Sequence, residues 1–177
     1  MDNFLVNLLK GIGFDGSNLM NAYKNFKEWA MQVRHIESDN RIMAVPRKKD
    51  GTLASTAKGV YQFTDSSVKT AKRRLKNMGY DKKVINSISN NPQDWSDDEA
   101  DAMFFGNIFA QKGSDPMLQE IGLGNLKTRR DAYYSFHHTK PDTATINRAE
   151  SFIPVENDLM DMTMENYNRV NSAFSER

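Results

Sequence analysis

Between residues 17 and 37 the chain places Leu19, Tyr23, Phe26, Ala30 and Val33 at alternating steps of four and three, the spacing that keeps side chains on one stripe of an α-helix. The next step of four lands on Glu37. A carboxylate where a core side chain is expected must be exposed at the helix end, paired, or held protonated for a task. This one helix therefore constrains the fold twice: it needs a helical core to cover its stripe, and it delivers a charged group to the edge of that core.

The flanking sequence supplies further helices. The stretch "DNRIMAVPRKKDGTLASTAKGVYQF" (39–63) changes character, with Pro46, Asp50-Gly51 and small polar residues. It reads as an irregular segment in which Asp50-Gly51 makes a tight turn between two short extended pieces. Residues 65–78 read as a helix capped by Asp65 or Ser66 and stopped by Gly79,. "KKVINSISNN" reads as a short helix broken at Asn91-Pro92. "SDDEADAMFFGNIFAQKG" opens with Ser96 and Glu99 in capping-box spacing, and Ala100, Met103, Phe104 and Ile108 mark it as the most buried helix,. Short helices follow over 115–124 and 127–138, then one beginning at Thr139 with Pro141,. The tail carries a last stripe, Val155, Leu159, Met162, Tyr167, Val170 and Phe174. The expected class is mainly α, a helical bundle with a small β-hairpin-like insertion beside Glu37.

Bulk properties exclude several chemistries. The 177 residues suffice for one domain with a real core,. Lys and Arg number 24 against 23 Asp and Glu, a net charge of +1 that gives no global field toward nucleic acid,. With no cysteine, disulfides, thiol catalysis and thiolate zinc sites are excluded. The start, "MDNFLVNLLKGIGFDG", is amphipathic through Phe4, Leu5, Leu8, Leu9 and Ile12. It lacks the basic region and long apolar core of a secretory signal and is too short to span a bilayer. It reads as a helix covering its own domain, with docking to a partner or membrane surface as the alternative.

The chemistry-bearing residues form three groups in order: Glu37-Ser38; Ser55 with Ala57-x-Gly59-x-x-Gln62-Phe63; and Ala132-Tyr133-Tyr134-x-x-His137-His138-Thr139-x-Pro141-Asp142-x-Ala144-Thr145. Together they resemble the signature of lysozyme-like lytic transglycosylases of the soluble type, in the variant found in internal virion proteins of podoviruses. The resemblance spans residues 17–152, leaving an amphipathic segment at 1–16 and a helical tail at 153–177. Two elements depart from the family pattern. Gly59-Val60-Tyr61-Gln62 stands where Gly-Leu-Met-Gln is usual, and Ala132-Tyr133-Tyr134 where Ala-Tyr-Asn is usual, which leaves open the tyrosine that takes the family's role.

The resemblance implies an α+β lysozyme-like fold and cleavage of the β-1,4 bond between N-acetylmuramic acid and N-acetylglucosamine in peptidoglycan. Glu37 would protonate the leaving oxygen, then accept the proton of the muramic 6-hydroxyl as that oxygen attacks the anomeric carbon to form a 1,6-anhydro product. The sugar's own acetamido group would stabilise the cationic intermediate, so no second carboxylate is required. Ser38, Ser55, Gly59, Tyr61, Gln62, Tyr133, Tyr134 and His137 would lie along the glycan, with no cofactor and no metal. The implied setting is a phage particle whose enzyme opens the host cell wall from the periplasm during genome ejection. Peptidoglycan strands would be its partners, with other virion proteins through residues 1–14 and 155–177, and without a specific nucleic acid or a stable membrane span.

The physical reading of the residues agrees with an acid role. A glutamate on an apolar helix face at the lip of a groove is expected to resist ionisation and keep its proton at working pH. Alternatives stay open at several positions. Ser38 braces backbone or touches substrate; Gln62 binds a glycan acetamido group or stitches two loops. One of Tyr133 and Tyr134 is expected in the core, the other with its hydroxyl at Glu37 or the sugar. His137 and His138 are rejected as a metal pair, because adjacent helical side chains diverge. The run Lys69, Lys72, Arg73, Arg74 and Lys76 reads as a solvated face with some attraction for an anionic wall polymer. A hydrolytic muramidase would need a second carboxylate, for which Asp39, Asp50 and Asp65 are candidates. A mainly structural virion protein remains the reading from another class.

Overall fold

The computed structural model describes residues 3–138 and 140–155. The expected tail stripe at Leu159, Met162, Tyr167, Val170 and Phe174, and Thr139, lie outside the described residues. The described chain is mainly α. In order it forms α1 (Asn3–Gly11), α2 (Gly16–Ser38), α3 (Asp65–Asn77), α4 (Lys82–Ser87), a 3₁₀ turn (Pro92–Asp94), α5 (Asp97–Phe109), α6 (Asp115–Gly122), α7 (Leu126–Ala132), a π-helical turn (Tyr133–His137) and α8 (Thr143–Phe152). None of these helices is long and apolar enough to cross a membrane.

The core forms where α5 meets α2 and α3. Helix α5 is apolar on nearly every side: residues 103–108 are all buried, from Met103 through Phe104 and Phe105 to Ile108. A helix apolar all round must sit inside. Its N-terminus is fixed by the expected capping box, with Ser96 Oγ accepting from the Glu99 N–H and the Glu99 side chain accepting from the Ser96 N–H,. Helix α3 approaches it closely at Gly106, where a Cβ would lie 2.2 Å from Leu75 Cδ2. On the other side Phe26, Trp29, Ala30 and Val33 of α2 are buried, and Trp29 packs on Phe104 with ring centroids 5.4 Å apart. The cap of α3 is Thr64, not Asp65 or Ser66: Thr64 and Ser67 exchange side-chain to backbone bonds. Serine at the third helical position completes the box as a glutamate would.

Helix α1 buries Leu5, Leu8 and Leu9 in the same core, so its apolar stripe covers its own domain. Helix α8 runs beside the C-terminal half of α2, with Phe152 stacked on His35 at 5.1 Å.

The segment after α2 does not form the expected hairpin. Asp50-Gly51 does turn the chain, with Asp50 Oδ1 accepting from the Thr52 N–H at 2.9 Å. The flanking pieces, however, meet only in one isolated antiparallel bridge, Arg47 to Leu53, and no strand occurs among the described residues. Solvent exposure explains why. Residues 47–56 are all exposed, so there is no buried face to reward a ladder.

Candidate active site

Helix α2 ends in a way that fixes both residues of the Glu37-Ser38 pair. Asp39 and Asn40 both take φ of +56°, a left-handed conformation that Asp and Asn tolerate better than most residues. The Asn40 N–H folds back to the Arg34 carbonyl at 3.1 Å. Ser38 is buried, and its Oγ donates to the Arg34 carbonyl at 3.1 Å and the Val60 carbonyl at 2.9 Å. Of its two readings, the bracing one describes its bonds. It ties the end of α2 to the turn that carries Gly59 and Gln62.

That turn closes through paired bonds between Lys58 and Phe63, both 3.0 Å. Gly59 has φ of +73°, and a Cβ there would meet the Pro92 carbonyl at 2.8 Å. The backbone it brings close is that of the 3₁₀ turn. Gln62 is left-handed, with φ of +50°, and its Nε2 donates to the Gly59 and Ala44 carbonyls at 2.8 and 3.2 Å. It therefore stitches two loops while still lining the cleft described below. Tyr61 is buried, stacked on Phe104 at 4.3 Å. Its hydroxyl donates to Asp101 Oδ1 at 2.6 Å and accepts from Arg34 Nε at 3.2 Å.

The late aromatic stretch approaches Glu37 from the opposite side. Helix α7 widens into the π-helical turn, a feature that re-aims side chains at its end. The His138 N–H donates to the Tyr133 carbonyl at 2.9 Å, and His138 then leaves the helix with φ of −121° and ψ of 76°. Consequently two adjacent histidines converge where a regular helix would splay them. Tyr133 Oη donates to Glu37 Oε1 at 2.6 Å, His138 Nδ1 lies 3.1 Å from the same oxygen, and His137 Nε2 lies 3.7 Å from it. The Glu37 side chain is 8% exposed. Tyr133, fully buried, supplies both the core aromatic and the hydroxyl that were expected to be divided between two tyrosines. Tyr134 stays partly exposed, packed on Tyr133 at 5.3 Å.

These groups open onto a cleft of about 510 Å³ lined by Glu37, Ser55, Gln62, Asn107, His137, His138, Lys140 and Arg148, among others. Ser55, Gln62 and His137 thus reach the cleft with Glu37, whereas Ser38, Gly59, Tyr61, Tyr133 and Tyr134 do not line it. The expected site residues did not include Asn107, His138, Lys140 and Arg148. His138 stood beside His137 in the late motif, and the other three carried no signal. Among the residues lining the cleft Glu37 is the sole carboxylate; Asp39, Asp50 and Asp65 are not part of its wall. No group of three or more His, Cys, Asp or Glu side chains able to hold a metal ion occurs among the described residues.

Electrostatics correct one expectation. Burial pushes the Glu37 carboxyl up, as expected, but the hydrogen bond with His138, the charge of His137 and the Tyr133 hydroxyl outweigh it and hold the carboxyl below its ordinary value,. His137 itself is pushed down by burial. Its Nε2 lies 3.0 Å from the Tyr61 carbonyl, which can only accept, so Nε2 carries the hydrogen. His138 is raised, chiefly by its bond to Glu37.

The basic face of α3 is split. Lys69, Lys72, Arg73 and Lys76 line a surface hollow joined by Lys82 of α4, while Arg74 turns away to bond the Asn107 carbonyl and Oδ1 at 2.9 and 2.6 Å.

No family model, curated protein or solved structure matches the chain.

Proposed function

We propose that the chain is a lytic transglycosylase with a lysozyme-like arrangement, cleaving peptidoglycan between N-acetylmuramic acid and N-acetylglucosamine with Glu37 as the acid and then the base. The observation that carries this reading is a buried carboxylate, gripped by Tyr133 and His138, in a cleft that no other carboxylate lines among the described residues. One carboxyl suffices when the substrate's own 6-hydroxyl is the nucleophile. A hydrolase that activates water, or that forms a glycosyl-enzyme, needs a second one across the bond.

The remaining cleft residues suit a glycan. Ser55, Gln62 and Asn107 offer hydroxyl and amide groups to sugar hydroxyl and acetamido groups, and Lys140 and Arg148 offer positive charge to lactyl and stem-peptide carboxylates,. By the motif resemblance, the setting is a phage particle and the task is local opening of the host wall during genome ejection. The test is clearing of purified cell-wall sacculi by the wild type and by Glu37→Gln. The variant keeps the size of the side chain but has no proton to give, so clearing should fall by roughly 10²–10⁴-fold. Clearing at the wild-type rate by the variant would reject the assignment.

A further inference from the structure

The contact between His138 Nδ1 and Glu37 Oε1, at 3.1 Å, requires one proton between the two groups. An imidazolium N–H or the Nδ1–H of a neutral ring can donate to a carboxylate, or a carboxylic O–H can donate to a neutral ring nitrogen. The imidazolium–carboxylate form and the neutral imidazole–carboxylic acid form both carry zero net charge, so these two interconvert by moving one proton along one hydrogen bond. His137 cannot play this part, because its Nε2–H is committed to the Tyr61 carbonyl.

In the open cleft, water reaches chiefly the His138 side chain, 34% exposed against 8% for Glu37, and solvates the charged form there. A glycan seated against Glu37 would remove that water, and two partly desolvated charges cost more than two neutral groups. We propose that His138 stores the proton that Glu37 delivers: when glycan fills the cleft, the Nδ1–H bond breaks and an O–H bond forms on Glu37, leaving a neutral imidazole beside a neutral carboxyl. This step rests on the glycosidase reading above. The cycle balances. Glu37 loses the proton to the leaving oxygen as the glycosidic bond breaks. It regains one from the muramic 6-hydroxyl as the anhydro ring closes, and returns it to His138 when product leaves.

Charges of both signs surround His138. Besides Glu37, the carboxylate of Asp142 at the start of α8 stabilises the imidazolium, while Arg148 on the same helix opposes it. Lys140 lines the same cleft. His138 is therefore a positioning residue that acts through Glu37. As the pH rises through the raised value of His138, the pair loses its proton and activity should fall. Without His138, Glu37 must be protonated from solvent, and activity should survive only at lower pH.

The experiment has two arms. Full-length chain with isotope-labelled imidazole rings is titrated by NMR as wild type and as Glu37→Gln, with the His35→Gln and His138→Gln variants assigning the signals. His138 should titrate above the ordinary imidazole value in the wild type, and its pKa should move downward in Glu37→Gln. An identical His138 titration in both proteins would overturn the proposal. In the second arm, wall cleavage by wild type and His138→Gln is followed against pH. The variant should lose roughly 10²-fold at the wild-type optimum and recover toward wild type on acidification. An equal loss at every pH would mean a merely structural role and would overturn it as well. A paired titration shift in a protein that cleaves no glycan at any pH would instead reject the glycosidase reading, and the delivery step with it. If His138→Gln does not fold, His35→Gln and His137→Gln assign the His138 signal by elimination, and the first arm stands.

Discussion

Two charged side chains enter the interior from the last turns of α2, and their surroundings differ. Arg34 is 5% exposed and its guanidinium is held by several partners at once. Its Nη2 bonds Asp101 Oδ1 at 2.5 Å, its Nη1 bonds Asp97 Oδ1 at 2.7 Å, and its guanidinium lies 5.2 Å from the Tyr61 ring. Lys27 reaches the other oxygen of Asp101. Three residues on, Glu37 is bonded by Tyr133 and by a histidine that titrates, and it faces a cleft. Burial alone thus does not mark a functional charge. Arg34 and its partners line no part of the cleft, whereas Glu37 faces it and shares a hydrogen bond with a histidine.

That contrast can be broken most forcefully at Asp101. Asp101→Ala leaves Arg34 and the Tyr61 hydroxyl without their buried partner and should cost about 3–5 kcal/mol in urea unfolding. Glu37→Gln should unfold close to wild type while losing wall clearing. If Glu37→Gln proved the less stable of the two, the division into a structural and a chemical cluster would fail. Tyr133→Phe should have an intermediate effect. It removes one donor from Glu37 Oε1, so the carboxyl's pKa rises and the group loses an anchor. A hydrogen bond to a charged group is worth about 1.5–3 kcal/mol, and the expected outcome is a cleavage rate down roughly tenfold. Ser38→Ala tests the brace between α2 and the Gly59 turn. It leaves the buried Val60 carbonyl without its donor and should cost about 1–2 kcal/mol in thermal or urea unfolding.

The smallest effect is a pH dependence of stability. Glu37 is lowered by folding, so its contribution is lost as pH falls through its folded value; His138 is raised, so its contribution is lost as pH rises through its own,. The stability difference between wild type and Glu37→Gln should therefore be greatest between those two values and shrink on both sides. A difference that keeps growing toward alkaline pH would mean the pair does not interact as described.

Much of the architecture was legible in local pattern. The stripe of α2, the capping box of α5 and the tight turn at Asp50 can each be read within a few residues. What escaped needed long-range information. Thr64 was passed over as a cap because Ser67, not a glutamate, completes its box. The irregular segment was expected to pair as a hairpin, since turn chemistry is visible in sequence while the lack of a buried face is not. At the site, Glu37 could be singled out because it interrupts an apolar stripe. The partner of Arg34 lies 67 residues away and His138 lies 101 residues from Glu37. His138 reaches Glu37 only because a π-helical turn rotates it there, and this distance also undid the expectation of a raised Glu37. Desolvation was readable from α2, but the opposing imidazole was not.

The most direct test of the central claim is mass spectrometry of the fragments released from purified peptidoglycan by the wild type, with Glu37→Gln as the control. The account predicts glycan ends in the 1,6-anhydro form, lighter by one water than reducing ends, and absent from the Glu37→Gln digest. Reducing ends from the wild type would contradict it, because water would then be the nucleophile and a carboxylate outside the described cleft wall would have to activate it.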